Sequence, residues 1–140
     1  MTRQHLFAWI LTTLREAAWA PLGVVGIYGI GLIFGWFDDY PALDMPTHFL
    51  GGMAITYFYQ AAIRNAQVYV GTIPPLVQVL FAVTSTGTTT VLWEIYENLL
   101  DHFFGTHTVR NVQESVIDMA LGLAGAVVLV VMRRSNRDAD

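Results

Sequence analysis

Acidic side chains and histidines recur at helical spacing in apolar stretches of this chain, and together they could bind a divalent metal ion. Eight of the 11 Asp and Glu residues fall in the segments 38–44, 94–101 and 114–118. Because a charged group in hydrocarbon is unfavourable, acids in such stretches commonly mark an ion, proton or substrate site. The residues concerned are Asp38, Asp39, Asp44, His48, Glu94, Glu97, Asp101, His102, Glu114 and Asp118.

Helical spacing predicts which of these side chains converge. Glu94, Glu97 and Asp101 are separated by three and then four residues, so they share one face of a helix. Asp44 and His48 form an i, i+4 pair and share a face in the same way. We therefore expect two helices to present carboxylates and an imidazole to a common site.

Glycines near these acids predict close contacts between helices. Asp118 is followed at helical spacing by Gly122 and Gly125, and small residues allow the backbones of two membrane helices to approach each other. Asp118 is therefore expected to point into the bundle. The glycines for which we expect close packing are Gly51, Gly52, Gly122 and Gly125, with Gly23, Gly26, Gly29, Gly31 and Gly35 in the first apolar stretch.

A divalent metal ion is the ligand that this residue set favours, because carboxylates from facing helices and a nearby histidine form the metal sites of helix bundles. The spacing predicts His48, Glu94, Glu97 and Asp118 as metal ligands, with Asp44 orienting His48 as its partner. A carboxylate-rich set with one histidine suits Zn, Mn, Fe or Mg. Positions at the rim or in the second shell are predicted for Asp101, His102, Arg110 and Glu114.

Two other arrangements would also stabilise buried acids. Some of the carboxyl groups could remain protonated, or Arg110 and the histidines could pair with them. The pair of Asp44 and His48 is equally compatible with capping of a helix that begins near Pro46. A structural hydrogen-bond network thus stays open beside the metal site, and no catalytic residue is assigned.

Composition places the chain in a membrane. Hydrophobic residues make up 54% of the sequence and charged residues 13%, with a mean hydropathy of +0.48, whereas soluble domains carry about 25% charged residues. The lack of cysteine excludes disulfides, thiolate catalysis and thiolate-bound metals. A formal net charge of -4 provides no basic surface for nucleic acid. Residues 1–140 are expected to form a single membrane domain.

The pattern predicts an all-α polytopic membrane protein with four transmembrane helices and an N-terminal amphipathic interfacial helix. That first helix, at 3–16, is expected at the membrane surface because its apolar residues share one face. Asp38 and Asp39 are expected in a solvated turn, and 65–72 in a polar loop. Each predicted span approaches or exceeds the length that crosses a hydrocarbon core of about 30 Å. The spans comprise residues 17–37, 45–63, 74–100 and 115–132.

Arginine positions predict the orientation of these spans. Of the seven cations, only Arg110 falls between the third and fourth spans, beside the acids. By the positive-inside rule, the loops and tails that hold the other six are cytoplasmic, and so are both termini. The acidic cluster is thus expected at the non-cytoplasmic end. The six cytoplasmic residues are Arg3, Arg15, Arg64, Arg133, Arg134 and Arg137.

Three motifs carry a resemblance to known proteins. They are Asp44-Met-Pro-Thr-His48-Phe49, Trp93-Glu94-Ile95-Tyr96-Glu97, and Asn111 with Asp118 ahead of a Gly/Ala-rich helix. With these motifs the chain resembles the YjdF-like family of uncharacterised bacterial inner-membrane proteins, and more distantly VanZ-like proteins. It departs from the VanZ-like pattern, which usually has Gln near its Glu. The resemblance implies a small multi-pass protein of the bacterial cytoplasmic (inner) membrane.

These observations favour a metal site at the non-cytoplasmic end, where a metal-bound water could act on an envelope lipid or a phosphate group. An alternative is a proton- or cation-coupled transporter, which with four spans would require a homo-oligomer. A third hypothesis is a structural or accessory protein of the bilayer in which the acids only stabilise the bundle. The cytoplasmic half of the spans holds almost no ionisable group, and this asymmetry favours a one-sided site over a path across the membrane.

Overall fold

The computed structural model describes residues 2–106 and 108–138, with side chains up to residue 135. Over these residues the chain is helical without strands, so the all-α prediction is confirmed for this part of the protein. The side chain of Arg137, which contributed to the predicted orientation, lies outside the described residues. The helices are α1 (Arg3–Ala17), α2 (Trp19–Ile33), α3 (Trp36–Asp39), α4 (Asp44–Val70), α5 (Pro75–Phe104) and α6 (Val112–Asp138), with a 3-10 turn at Pro41–Leu43.

Helix α4 occupies the centre of the bundle and packs against α6, α5, α1 and α2. Its contact with α6 is close because glycines meet backbone there. A Cβ atom on Gly52 would overlap the Gly122 carbonyl, and one on Gly125 would overlap the Phe49 carbonyl. A Cβ atom on Gly122 would also overlap the methyl group of Thr90 in α5. The close approach predicted from these glycines is confirmed, and it draws α4, α5 and α6 together.

Three of the five glycines of the first apolar stretch do not pack as predicted, whereas Gly31 does, because a Cβ atom there would overlap the Phe37 ring. A Cβ atom at Gly23, Gly26 or Gly29 would meet nothing within 4 Å, so these glycines face away from the other described residues. The buried face of α2 is formed by Tyr28 and Gly31 instead. At about 100° per residue, the three glycines lie on the opposite side of the helix. The number of glycines alone therefore did not indicate which face is covered.

Helix α4 continues beyond its predicted end to Val70, so most of the predicted polar loop 65–72 is helical. The polar side chains of this segment are bound within the protein rather than solvated. For example, the backbone N–H of Ile73 donates a hydrogen bond to Gln67 Oε1 at 2.9 Å. The helix ends at Gly71, whose φ of 88° is a conformation that favours glycine.

Helix α1 meets α2 at a bend of 57° and lies against the second half of α4. The indole N–H of Trp9 donates to the Ala62 carbonyl at 2.8 Å. The Glu16 carboxylate pairs with Arg64 and accepts from the Asn65 amide at 2.9 Å. These contacts hold α1 against α4 where α4 continues past its predicted end. The apolar residues of the face predicted to meet the membrane surface, Leu6, Ile10 and Leu14, remain 41–46% exposed.

Two helices are long and apolar enough to cross a membrane: α5, with a mean hydropathy of 1.3, and α6 over Val112–Ser135, with a value of 2.3. The bent pair of α1 and α2 makes a third candidate if it forms one span. Helix α4 has 27 residues, which is enough to span, but it carries more polar side chains. The described part of the chain thus has the helices of a membrane protein, with the most polar of the long ones at its centre.

Candidate functional site

His48 lies at the centre of the carboxylate cluster, just over one turn into α4. Its Nε2 atom is 3.2 Å from Oδ1 of Asp44 and 4.0 Å from Oε2 of Glu97. Its Nδ1 atom is 3.8 Å from Oε1 of Glu94. Both ring nitrogens therefore face carboxylates. None of the four side chains is more than 12% exposed, so water is largely excluded from these contacts.

Five of the predicted residues come together as two overlapping groups of candidate ligands. One group is Asp44, His48 and Asp118, and the other is His48, Glu94 and Glu97. Within each group, one donor atom per residue lies within 4.8 Å of the others. Sequence spacing had predicted a single ligand set with Asp44 behind it. In the structure, His48 belongs to both groups, and Asp44 lies as close to the imidazole ring as the predicted ligands do.

Two buried side-chain atoms in this site have no hydrogen-bond partner among the described residues: Oε1 of Glu94 and the hydroxyl oxygen of Tyr28. Leaving a buried polar group without a partner costs about 1–3 kcal/mol, and more for a charged group. The unpartnered Glu94 atom is the one that faces Nδ1 of His48. This geometry leaves a position between the two side chains for a proton or a cation.

Tyr28 is a site residue that sequence spacing did not single out. It projects from α2 and is 4% exposed, and its ring packs against Trp93 and Phe37 with centroids 5.0 and 5.3 Å apart. The phenol lies beside the Glu97 carboxylate. A lone tyrosine in an apolar stretch was the signal available. Helical spacing could not connect it to acids on other helices.

Two polar cavities open onto the cluster at the Asp44 end of the bundle. One has a volume of about 400 Å³ and is lined by Asp44 and Asp118. The other has a volume of about 470 Å³ and is lined by Glu94. Arg110 and Asn111 border both cavities. Each group of candidate ligands is thus reached through its own cavity, and Arg110 borders both cavities.

Two of the predicted rim residues, Arg110 and Glu114, pair with each other. The Nη1 atom of Arg110 lies 3.1 Å from Oε1 of Glu114, and the backbone N–H of Arg110 donates to Oε2 of the same residue at 2.8 Å. Asn111 accepts the backbone N–H of Glu114 at 3.0 Å, so it caps α6. His102 is exposed, with its ring 4.9 Å from that of Phe103. Over the described residues, Arg110 therefore balances an acid at the rim.

Asp101 shares the predicted helix face with the two glutamates of α5, but it organises the following loop. Its Oδ1 atom accepts from the Thr106 hydroxyl at 2.6 Å and from the N–H and hydroxyl of Thr108 at 2.9 and 2.8 Å. Its Oδ2 atom accepts from the backbone N–H of Val109 at 2.8 Å. The carboxylate thus holds the connection between α5 and α6, a local structural role that helix spacing alone does not predict.

Replacing Asp101 with alanine is expected to destabilise the protein by about 2 kcal/mol and to leave the His48 cluster intact. Four hydrogen bonds to one carboxylate would be lost, and water would replace them only in part because the loop is half-buried. Thermal unfolding in detergent measures the change. The control is Asp38→Ala, at an exposed acid near the same end. Equal melting temperatures for the two variants would contradict this role.

Comparison with known proteins gives a match over almost the whole chain. A family model described as "Predicted membrane protein (DUF2238)" matches residues 4–138. No curated protein matches the chain, and no solved structure does. The similarity to VanZ-like proteins therefore rests on the motif pattern alone.

Proposed function

We propose that this chain, which belongs to the DUF2238 family of predicted membrane proteins, binds a divalent metal ion through the cluster around His48. In the proposed topology, α2, α4, α5 and α6 form four spans of the bacterial inner membrane, and α1 lies at its cytoplasmic surface. Six of the seven arginines and both termini are then cytoplasmic. The cluster occupies the non-cytoplasmic end of the bundle.

The observation that carries this proposal is the buried Oε1 atom of Glu94, which has no hydrogen-bond partner among the described residues and faces Nδ1 of His48 at 3.8 Å. On the other side of the ring, Nε2 is 3.2 Å from Asp44. An Asp44 carboxylate that accepts the Nε2 proton leaves the Nδ1 lone pair directed toward Glu94. His48 and Glu94 would together hold a metal ion at this position.

Glu97 completes the ligand set that we favour. It belongs to the same group as His48 and Glu94, lies one helical turn further along α5, and is 3% exposed. Three protein ligands leave positions for water or substrate, as in catalytic metal sites. Asp118 is the further ligand available on the Asp44 side of the imidazole. Zn, Mn, Fe and Mg are the ions that suit this set.

The surroundings of the cluster favour a phosphate-bearing lipid as the substrate. The polar cavities bring Arg110 to the entrance of the site, and a guanidinium binds phosphate well. From the α2 side, an apolar cleft that includes Val25, Ile55 and Trp93 reaches His48. The cleft is small, with a volume of about 60 Å³, so a lipid with its headgroup in the two larger cavities would place only a short part of an acyl chain there. His48, Glu94 and Glu97 would hold the metal, which would supply an activated water for hydrolysis of a phosphoester: the water oxygen bonds to phosphorus, the ester P–O bond breaks, and the alcohol leaves with a proton.

Metal content is the test of this proposal. Purified wild type, loaded with Zn or Mn and freed of excess ion by gel filtration, is expected to hold about one ion per chain, measured by plasma mass spectrometry. Glu94→Gln keeps the side-chain shape but replaces a carboxylate with a weakly ligating amide. We expect it to lower the metal content about tenfold or more. Asp38→Asn, an exposed acid near the same end, is the matched control and is expected to bind as wild type does.

Two results would overturn the metal site. One is a wild type that holds no ion after loading. The other is a double variant, Glu94→Ala with Asp118→Ala, whose metal content equals that of the wild type. If these substitutions lower only the melting temperature, the acids serve the structural or accessory role that the sequence also allowed.

Buried hydroxyls below the cluster do not favour the transporter alternative. Thr90 and Thr86 continue the face of Glu94 toward the opposite end of α5. However, the Thr90 hydroxyl donates to the Gly87 carbonyl at 2.8 Å, and the Thr86 hydroxyl lies 2.9 Å from the Ala82 carbonyl as a donor. Thr86 also contacts the Thr56 hydroxyl of α4 at 2.8 Å, but Thr56 in turn lies 2.7 Å from the Gly52 carbonyl as a donor. Each of these hydroxyls thus has a backbone acceptor in its own helix, and this competes with the relay of protons. This supports a site that is reached from one side.

A further inference from the structure

Another cavity lies at the opposite end of the bundle, between the second half of α4, the first turn of α5 and the last described turns of α6. Its volume is about 530 Å³, which is in the range of ligand-binding pockets. Gln60 and Gln78 contribute polar groups to its wall. Over the described residues, no acidic side chain lines it. Three arginines do: Arg64, Arg133 and Arg134.

The positive charge of this cavity is only partly balanced. Arg64 pairs with a glutamate of α1. Arg133 donates to the neutral side-chain oxygen of Gln60 at 2.9 Å, and its guanidinium lies over the Tyr57 ring at 4.7 Å. Among the residues with described side chains, Arg134 forms no ion pair. The cavity therefore carries an excess of positive charge with oriented guanidinium groups.

The first turn of α5 contributes the positive end of its helix dipole to the cavity and an apolar surface beside it. The helix begins at the cavity with Pro75 and has no capping side chain, so its first N–H groups and the positive end of its dipole add to the arginine charge. Leu76, which also lines the cavity, is 68% exposed, and Leu80 one turn further along α5 is 53% exposed. An anionic headgroup site and an apolar surface thus lie side by side.

We propose that this cavity binds the phosphate group of an anionic phospholipid from the cytoplasmic leaflet, with the acyl chains against the exposed face of α5. Arginine forks match phosphate oxygens. The cavity lies at the arginine-rich end of the bundle, and basic pockets at that membrane surface bind anionic headgroups. A free phosphate ion would meet the same donors but would make no use of Leu76 and Leu80. The site is independent of the metal cluster at the other end.

Native mass spectrometry of the full chain in detergent with phosphatidylglycerol or phosphatidylcholine tests the proposal. We expect the wild type to retain phosphatidylglycerol in preference to phosphatidylcholine. The variant Arg133→Gln/Arg134→Gln is expected to bind phosphatidylglycerol about tenfold more weakly or worse, because each arginine at the headgroup level contributes to binding. The matched control is Arg3→Gln/Arg15→Gln, which removes the same charge from α1, outside the cavity. It is expected to bind as the wild type does.

Three outcomes would overturn the lipid site. Equal loss of binding in the two double variants would mean that net charge alone attracts the lipid. Equal retention of the two lipids would mean that the headgroup charge is not recognised. Displacement of the lipid by excess inorganic phosphate would assign the cavity to a free ion. If the double variant fails to fold, Arg134→Gln alone replaces it, and unchanged binding in that variant would also overturn the proposal.

Discussion

Replacing Gly125 with alanine is expected to destabilise the bundle by about 3 kcal/mol. A Cβ atom there would overlap the Phe49 carbonyl and lie 3.1 Å from the backbone nitrogen of Met53. Because these are backbone atoms, no side-chain rotation relieves the contact, and α4 and α6 must move apart. Loss of helical circular dichroism on heating in detergent measures the change as a lower melting temperature.

Gly26→Ala is the matched control for this prediction, since a Cβ atom at Gly26 would meet nothing within 4 Å. Alanine there is expected to be neutral or to stabilise by up to about 1 kcal/mol, because glycine disfavours helix. A melting temperature for Gly125→Ala as high as that of Gly26→Ala would contradict the close packing of α4 and α6. Asp118 lies two turns before Gly125 on α6, so separation of the helices would also move it away from His48.

His48→Ala is expected to abolish metal binding, whereas substitution of a single acid is expected to weaken it. His48 is the residue that both groups of candidate ligands share. Loss of an outer-shell partner typically weakens metal binding about 10–100-fold, so loss of the shared ligand should exceed about a hundredfold. Isothermal titration with Zn or Mn measures the affinity. His102→Ala, at an exposed histidine outside both groups, is the control and should titrate as the wild type does.

The two groups can be distinguished by variants of the acids that belong to only one of them. Glu97 belongs to one group and Asp118 to the other. If His48, Glu94 and Glu97 hold the ion, Glu97→Gln weakens binding more than Asp118→Asn does. The reverse order would contradict that ligand set and favour the Asp44 side. Unchanged titration of His48→Ala would contradict both.

Sequence spacing predicted which site residues of a single helix share a face. The i, i+4 relation of Asp44 and His48 and the i, i+3 relation of Glu94 and Glu97 follow from the helical repeat, and both pairs face the cluster. The convergence of these residues with Asp118 could also be predicted. The arginine positions indicated the orientation of the spans and so placed three helix ends at the same level, and the glycines that follow Asp118 indicated close packing there. These predictions relied on the helical repeat, on the distribution of arginines and on the positions of glycines.

The features of the site that the sequence did not predict depend on contacts between helices and with the loop. Tyr28 joins the site because α2 packs with that face inward, and no periodicity relates it to acids on other helices. The division of the ligands into two groups depends on how the His48 ring is turned. Asp101 has the right spacing for the cluster, but its carboxylate binds a loop whose course depends on backbone N–H groups.

The arginines at one end of the bundle and the acids at the other are closer together than the thickness of an ordinary membrane core. Arg64 follows His48 by 16 residues on α4, and Arg133 follows Asp118 by 15 on α6. At about 1.5 Å per residue this is about 22–24 Å, against a hydrocarbon thickness of about 30 Å. With the arginines at the cytoplasmic headgroups, either the bilayer thins around the protein or water follows the polar cavities down to the carboxylates. In the proposed topology, lipid chain length would then control how easily an ion reaches the cluster from the non-cytoplasmic side, and shorter chains would bring the acids to the water surface.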